Sequence, residues 1–273
     1  MVTNNHIRRY LKLPASEREF QIERVDAVSN NQKTLMFINK PGLDLKKLDI
    51  SNNCVFLVDP IYPEYVSSRN DFIRVDNPKY RFCLLVESFE LPSRLQLDFL
   101  KLEHFTPTSY CKECLIGNNC RIDPGAIIGG TDFSPVMGDT RDQLVQFPQM
   151  GGVMIGDNVV IKYNTMVGKG TFGFTEIGNK TMIDYSCQIG HNCIIGNSCI
   201  IAAGTIIGGS TKVGNNTTIG IGAKIRNGIS IGSNVSIGMG SVVIKDVPDN
   251  AVVVGNPARI INHKVIFDEG GLV

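Results

Sequence analysis

His191 is the residue around which a reaction could be built. It stands in "MIDYSCQIGHNCIIG", two places after Ile189. A neutral imidazole near pH 7 can take the proton from an attacking amine as that amine becomes cationic. Asp184, seven residues earlier, is the candidate for orienting the ring. Gly209 follows His191 by 18 residues, and its backbone N–H can stabilise the oxyanion formed when a thioester carbonyl is attacked. A surface histidine that only makes hydrogen bonds would account for the same letters, and the residues alone leave both readings open.

What joins these residues is a six-residue beat. Ile177, Ile183, Ile189, Ile195, Ile201, Ile207, Val213, Ile219, Ile225, Ile231, Ile237 and Val243 recur at that interval. An amphipathic helix repeats near 3.6 residues and a half-buried strand at two, so neither explains it. The beat describes a parallel β-helix of hexapeptides, three to a triangular coil of 18 residues. Glycine often follows the aliphatic, as at 190, 196, 208 and 214, where the chain turns and a side chain would crowd the next face. A small residue commonly sits four places after it, as at Cys187, Cys193, Cys199 and Thr211, and fills the second inward position. Coils stack, so residues 18 apart lie above one another and share one apolar core.

The beat begins earlier, at Ile116, Ile122 and Ile128, then at Ile155, Ile161 and Val167. Two interruptions break it. Residues 130–153 are expected to project from the β-helix as a loop, and "GKGTFGFTE" at 168–176 adds four residues before the beat resumes. Insertions in a regular scaffold often carry the site, so substrate contacts are sought there. The remaining organisation follows. Residues 1–105 lack the beat and read as a small mixed α/β domain, with apolar runs "TLMFIN", "CVFLVD" and "FCLLVESF" and a helix expected around 16–28. Residues 106–245 form the β-helix, and 246–273 a cap and tail.

Composition narrows the function classes. A formal charge of +1 over 273 residues lacks the field of a nucleic-acid binder. There is no 18-residue apolar span and no N-terminal signal pattern, so a cytoplasmic protein is expected, without a membrane span. Among the eight cysteines, Cys111, Cys114 and Cys120 have no matching second pair or histidines, and no metal site is expected. Cys187, Cys193 and Cys199 read as compact hydrophobes inside the coil.

The strings "FPQMGGVMIGDNVVI" and "GTFGFTEIGNKTMIDYSCQIGHNCIIGNSCIIAAGTIIGGSTKVG" resemble the left-handed β-helix acyltransferases, particularly the UDP-3-O-acylglucosamine N-acyltransferase branch. The resemblance implies left-handed coils, a homotrimer with active sites between subunits, His191 as general base and Gly209 as oxyanion donor. It implies nucleotide-binding segments in "LMFINKP" and "VDNPKYRFCLLVESF", with Asn39 a base or phosphate contact, although Pro41 and Gly42 stand where the family has a tyrosine. Phe133, in "GGTDFSP", corresponds to a sugar or nucleotide contact in the family and reads equally as a loop anchor. Tyr185, beside Asp184, is a further candidate for substrate binding.

The ending "DVPDNAVVVGNPARII" is similar instead to hexapeptide acetyltransferases. That mixture implies acetyl transfer from acetyl-CoA to the amine of a dTDP-linked amino-dideoxyhexose. Arg259, Lys224, Arg226 and Lys245 are the candidate contacts for CoA phosphates. A longer or 3-hydroxyacyl donor on a UDP- or dTDP-amino sugar is the alternative reaction, and a non-catalytic binding module the alternative class.

Overall fold

The computed structural model describes residues 2–25, 34–38, 43–48, 52–89, 91, 110–111 and 113–262. The chain divides into two compact units, residues 1–94 with 133–150, and residues 95–132 with 151–273.

The second unit is a left-handed parallel β-helix. Its coils contribute short strands to three faces. The first face stacks seven strands, among them Met166–Gly168, Gln188–Ile189, Ile206–Ile207, Lys224–Ile225 and Val242–Val243. The second stacks six, including Phe174–Ile177 and Ile194–Ile195, and the third eight, including Met182–Ile183 and Ile200–Ile201. Below, the first corner joins the first face to the second, the second corner joins the second to the third, and the third corner returns to the first. Pairing between coils is parallel, with an offset of 18 residues in the regular stretch, as in Gln188 with Ile206 and Ile189 with Ile207, of 22 where the 168–176 insertion intervenes, as in Val167 with Ile189, and of 16 between Ser236 and Val252. The last strand, Ala258–Asn262, turns back antiparallel on Val252–Gly255.

The physical cause is the beat. Ile183, Ile189, Ile195, Ile201, Ile207 and Ile219 are all buried in one core with Cys187, Cys193 and Cys199. Each buried isoleucine contributes about 1.5–3 kcal/mol, and none could be covered by its own coil. The glycines after the aliphatics need a more specific explanation than a turn. Gly196 is not among the residues of positive φ, a role that falls at this corner to Ser198, two residues on, at φ +55°. A Cβ at 196 would instead lie 2.6 Å from Asn215 Oδ1 on the next coil. Close stacking of coils excludes the side chain.

The first unit contains a four-stranded parallel sheet in the order Arg24–Val25, Thr34–Ile38, Val55–Val58, Asp71–Arg74. The third apolar run of this region is helical: Pro78–Phe89 buries Phe82, Cys83, Leu85 and Val86, a helical spacing. Two sequence expectations are corrected here. Within 16–28, Gln21–Ile22 and Arg24–Val25 are extended, because they pair with Val2–Thr3 and with Thr34–Leu35. The helix lies earlier, at Asn4–Tyr10, started by Thr3, whose hydroxyl accepts the His6 N–H in a capping box.

The second correction concerns 130–153. Residues 133–150 belong to the first unit rather than decorating the β-helix. They form a hairpin, Pro135–Met137 against Leu144–Gln146, followed by buried Phe147. That ring lies 5.9 Å from Phe37 and 6.0 Å from Phe82, with the Lys79 ammonium 5.1 Å above it. Aromatic burial is what recruits the insertion.

Candidate active site

Because Gln188–Ile189 and Ile206–Ile207 are in register, His191 and Gly209 occupy the same place at the first corner of successive coils. A Cβ built on Gly209 would fall 2.6 Å from His191 Nε2, 2.8 Å from Cδ2 and 2.9 Å from Cε1. The imidazole therefore fills the space that a side chain at 209 would need. The Gly209 N–H has no acceptor among the described residues. A ring nitrogen and an uncommitted donor thus stand side by side at one corner.

The surroundings of His191 differ from the expected ones. Its backbone N–H donates to Asp132 Oδ2 at 2.6 Å. Its Nδ1 lies 2.9 Å from Asn192 Oδ1. That same oxygen accepts from Thr171 Oγ1 at 2.7 Å and from the Thr171 N–H at 3.1 Å, while the Asn192 N–H donates to Thr175 Oγ1 at 2.8 Å. Asp132, Asn192, Thr171 and Thr175 were not singled out by the beat. Asn192 is at least adjacent to His191 in "QIGHN"; the other three reach the site only through the insertions at 130–153 and 168–176.

Asp184 does not orient the ring. It follows the third-face strand Met182–Ile183, at the third corner, whereas His191 follows the first-face strand Gln188–Ile189, at the first corner. Seven residues are one hexad plus one, which carries the chain to a different edge of the triangle. Tyr185 shares the third corner with Asp184. Half-exposed, it stacks on Tyr163 with centroids 5.9 Å apart and planes 12° apart, and Lys162 Nζ lies 5.6 Å from its centroid.

Three of the four candidate cations are brought to the first face and corner. Lys224 pairs in register with Ile206 and Val242, and the Arg226 N–H donates to the Val243 carbonyl. Lys245 follows the strand Val242–Val243, two coils beyond Gly209. All three side chains are exposed. Arg259 is elsewhere, exposed on the terminal hairpin that extends the third face. Phe133 is 89% exposed; the buried phenylalanine of that segment is Phe147. Asn39 lies outside the described residues. Among the described residues no group of three or more His, Cys, Asp or Glu could hold a metal ion, and no helix is long and apolar enough to cross a membrane.

The cysteines beneath this corner are not nucleophiles. Burial pushes the Cys193 thiol up to about 12, and raises Cys187 and Cys199 by the same cause.

The bacterial transferase hexapeptide model (six repeats) matches residues 174–209 and 210–245, the first of which contains both His191 and Gly209. The UDP-3-O-acylglucosamine N-acyltransferase of Shewanella denitrificans is 45% identical over 74 residues, 27% of this chain and 21% of that protein. The corresponding protein of Caulobacter vibrioides is 41% identical over 70 residues, 26% of this chain and 20% of that one. The alignments thus span about a fifth of the curated relatives. Among solved structures, a UDP-N-acetylglucosamine acyltransferase from Campylobacter jejuni is 25% identical, with 56% of this chain and 65% of that chain covered and a TM-score of 0.46. Residues 174–245 thus carry hexapeptide repeats of the bacterial transferase type, and part of this chain is similar to the UDP-3-O-acylglucosamine N-acyltransferases.

Proposed function

We propose that this protein is an N-acyltransferase that moves an acetyl group from acetyl-CoA to the amine of a nucleotide-linked amino sugar, a dTDP-amino-dideoxyhexose being the leading substrate. The observation that carries the reading is the juxtaposition of His191 Nε2 with the uncommitted N–H of Gly209 at one corner of a transferase-type repeat. The neutral amine attacks the thioester carbonyl while His191 Nε2 accepts its proton. Gly209 N–H donates to the oxyanion that develops, where a fixed donor is worth most. The C–S bond then breaks, and the imidazolium returns the proton to the departing sulfur, leaving an amide and the CoA thiol.

Lys224, Arg226 and Lys245 support this reading, since they place positive charge along the coils that follow Gly209. A pantetheine arm lying along the corner would carry its phosphates toward them. Arg259 is a more distant candidate for the same phosphates. Tyr185 is proposed to contact the sugar or base from a neighbouring subunit of a homotrimer. Asn39 and Phe133 are assigned to nucleotide recognition by the first unit. The curated relatives, UDP-3-O-acylglucosamine N-acyltransferases by name, support a UDP-linked sugar, and a second reading joins it to a longer or 3-hydroxyacyl donor.

The test is CoA-thiol release with product mass, for wild type and His191→Ala, using acetyl-CoA with dTDP-3-amino- or dTDP-4-amino-dideoxyhexoses and a UDP-amino-sugar control. Turnover that falls at least about 100-fold in the folded variant is expected for a general base. Turnover that persists rejects His191 as an essential base. Preference for a fatty acyl donor over acetyl selects the second reading, and silence with every sugar and donor points to a binding module.

A further inference from the structure

The insertion at 168–176 has a consequence for the ring of His191. Asn192 Oδ1 stands 2.9 Å from His191 Nδ1, and an amide oxygen facing an imidazole nitrogen can only accept from it. If the amide were turned over, its NH2 would face the same nitrogen and require a lone pair there. The orientation of Asn192 therefore decides which ring nitrogen carries the proton. That orientation is forced by Thr171. Its backbone N–H, 3.1 Å from Asn192 Oδ1, is a donor that cannot become an acceptor. A turned amide would set donor against donor. The Thr171 hydroxyl, 2.7 Å from the same oxygen, donates to it in this orientation but can equally accept from a turned amide, so the backbone N–H alone decides.

We infer that Thr171, acting through Asn192, sets the tautomer of neutral His191, so that Nδ1 carries the proton and Nε2 presents its lone pair beside Gly209. Thr171 is a positioning residue: it touches neither ring nor reacting atoms. The value of the device for catalysis rests on the proposed acyl transfer, in which Nε2 must accept a proton, but the tautomer itself does not. His6 supplies an opposite case within the same chain. There the Thr3 N–H donates to His6 Nδ1 at 3.1 Å, so Nδ1 holds the lone pair and Nε2 the proton. In both places an obligate backbone donor decides, directly at His6 and through one relay at His191.

The experiment is long-range ¹H–¹⁵N correlation of ring nitrogens in the full-length, ¹⁵N-histidine-labelled protein, at a pH about two units above the ordinary imidazole value. Resonances are assigned by loss in His191→Ala and His6→Ala. Wild type is expected to show Nδ1–H at His191 and Nε2–H at His6. Thr171→Ala keeps the deciding backbone donor and should leave the ratio unaltered, whereas Asn192→Ala removes the relay, and the Nε2–H form of His191 should grow roughly threefold to tenfold. Asn192→Asp, whose carboxylate only accepts, should keep Nδ1–H dominant, and His6 serves as the unchanged reference. Where acyl transfer is measurable, kcat falls in Asn192→Ala with KM unchanged and recovers in Asn192→Asp. A dominant Nε2–H form of His191 in wild type overturns the inference, as does an unaltered ratio in folded Asn192→Ala. Absence of turnover with the expected tautomer present would sink the proposed reaction and leave this inference standing.

Discussion

The first and second corners of the β-helix are built from the same hexad, yet they handle the same backbone group differently. At the second corner the N–H two places after each aliphatic is capped by a side chain from the next coil. Asp157 donates to Asn179 Oδ1 at 2.7 Å, Asn179 to Asn197 at 2.8 Å, Asn197 to Asn215 at 2.7 Å, Asn215 to Ser233 Oγ at 3.1 Å and Ser233 to Asp249 Oδ1 at 2.8 Å. At the first corner the equivalent positions hold Lys169, His191, Gly209 and Asn227, and the ladder does not form. Lys169 is buried in an ion pair with Glu113. The His191 N–H turns to Asp132 on the preceding side, because Gly209 has no side chain to receive it. The Gly209 N–H is left without an acceptor among the described residues. A repeat that satisfies every polar group is a scaffold; where it stops doing so, a donor becomes available to a ligand.

The sharpest way to break this contrast is Gly209→Ala. The N–H is retained, but the new Cβ lies 2.6 Å from His191 Nε2 and must displace the ring. Displacement of a base by about 1 Å costs on the order of 100-fold in rate, so kcat should fall nearly as far as in His191→Ala. Full activity would show that the ring position is irrelevant. Asn197→Ala probes the opposite corner. It removes the cap on Asn179 and should cost about 1 kcal/mol in denaturant unfolding, with kcat/KM unchanged. A loss of activity without loss of stability would contradict the division of labour between the two corners.

The smallest effect concerns the thiols beneath both corners. Cys193 has its ordinary value of 9.0 raised to about 12 by burial, so alkylation of the native protein near pH 8 should leave Cys193 unmodified and activity intact. The same burial has a pH consequence. Between 9 and about 12 the unfolded chain releases the Cys193 proton while the folded chain keeps it. Stability should therefore be fully present below pH 9 and decline as pH rises toward 12, less steeply in Cys193→Ala. Denaturant midpoints measured across that range decide it.

Much of this was legible from spacing. The six-residue beat specified the coils, the buried aliphatics and the 18-residue stacking that puts Gly209 beside His191, because a periodic core leaves its period in the sequence. Asp184 was misread for an instructive reason: closeness along a β-helix is measured in whole coils, and seven residues lead to another edge.

The remainder depended on tertiary structure. Nothing periodic marks Thr171 or Asp132, which reach His191 from insertions whose course is set by packing and not by the repeat. Gln21–Ile22 and Arg24–Val25 became strands because partners at Val2–Thr3 and Thr34–Leu35 were available, and 133–150 joined the first unit because Phe147 could be buried against Phe37 and Phe82. The sequence by itself determined the scaffold and the stacking of His191 on Gly209, since both follow from a local, repeated hydrophobic pattern. Only the tertiary structure decided what orients the His191 ring, since a hydrogen bond between residues 21 apart leaves no pattern to read.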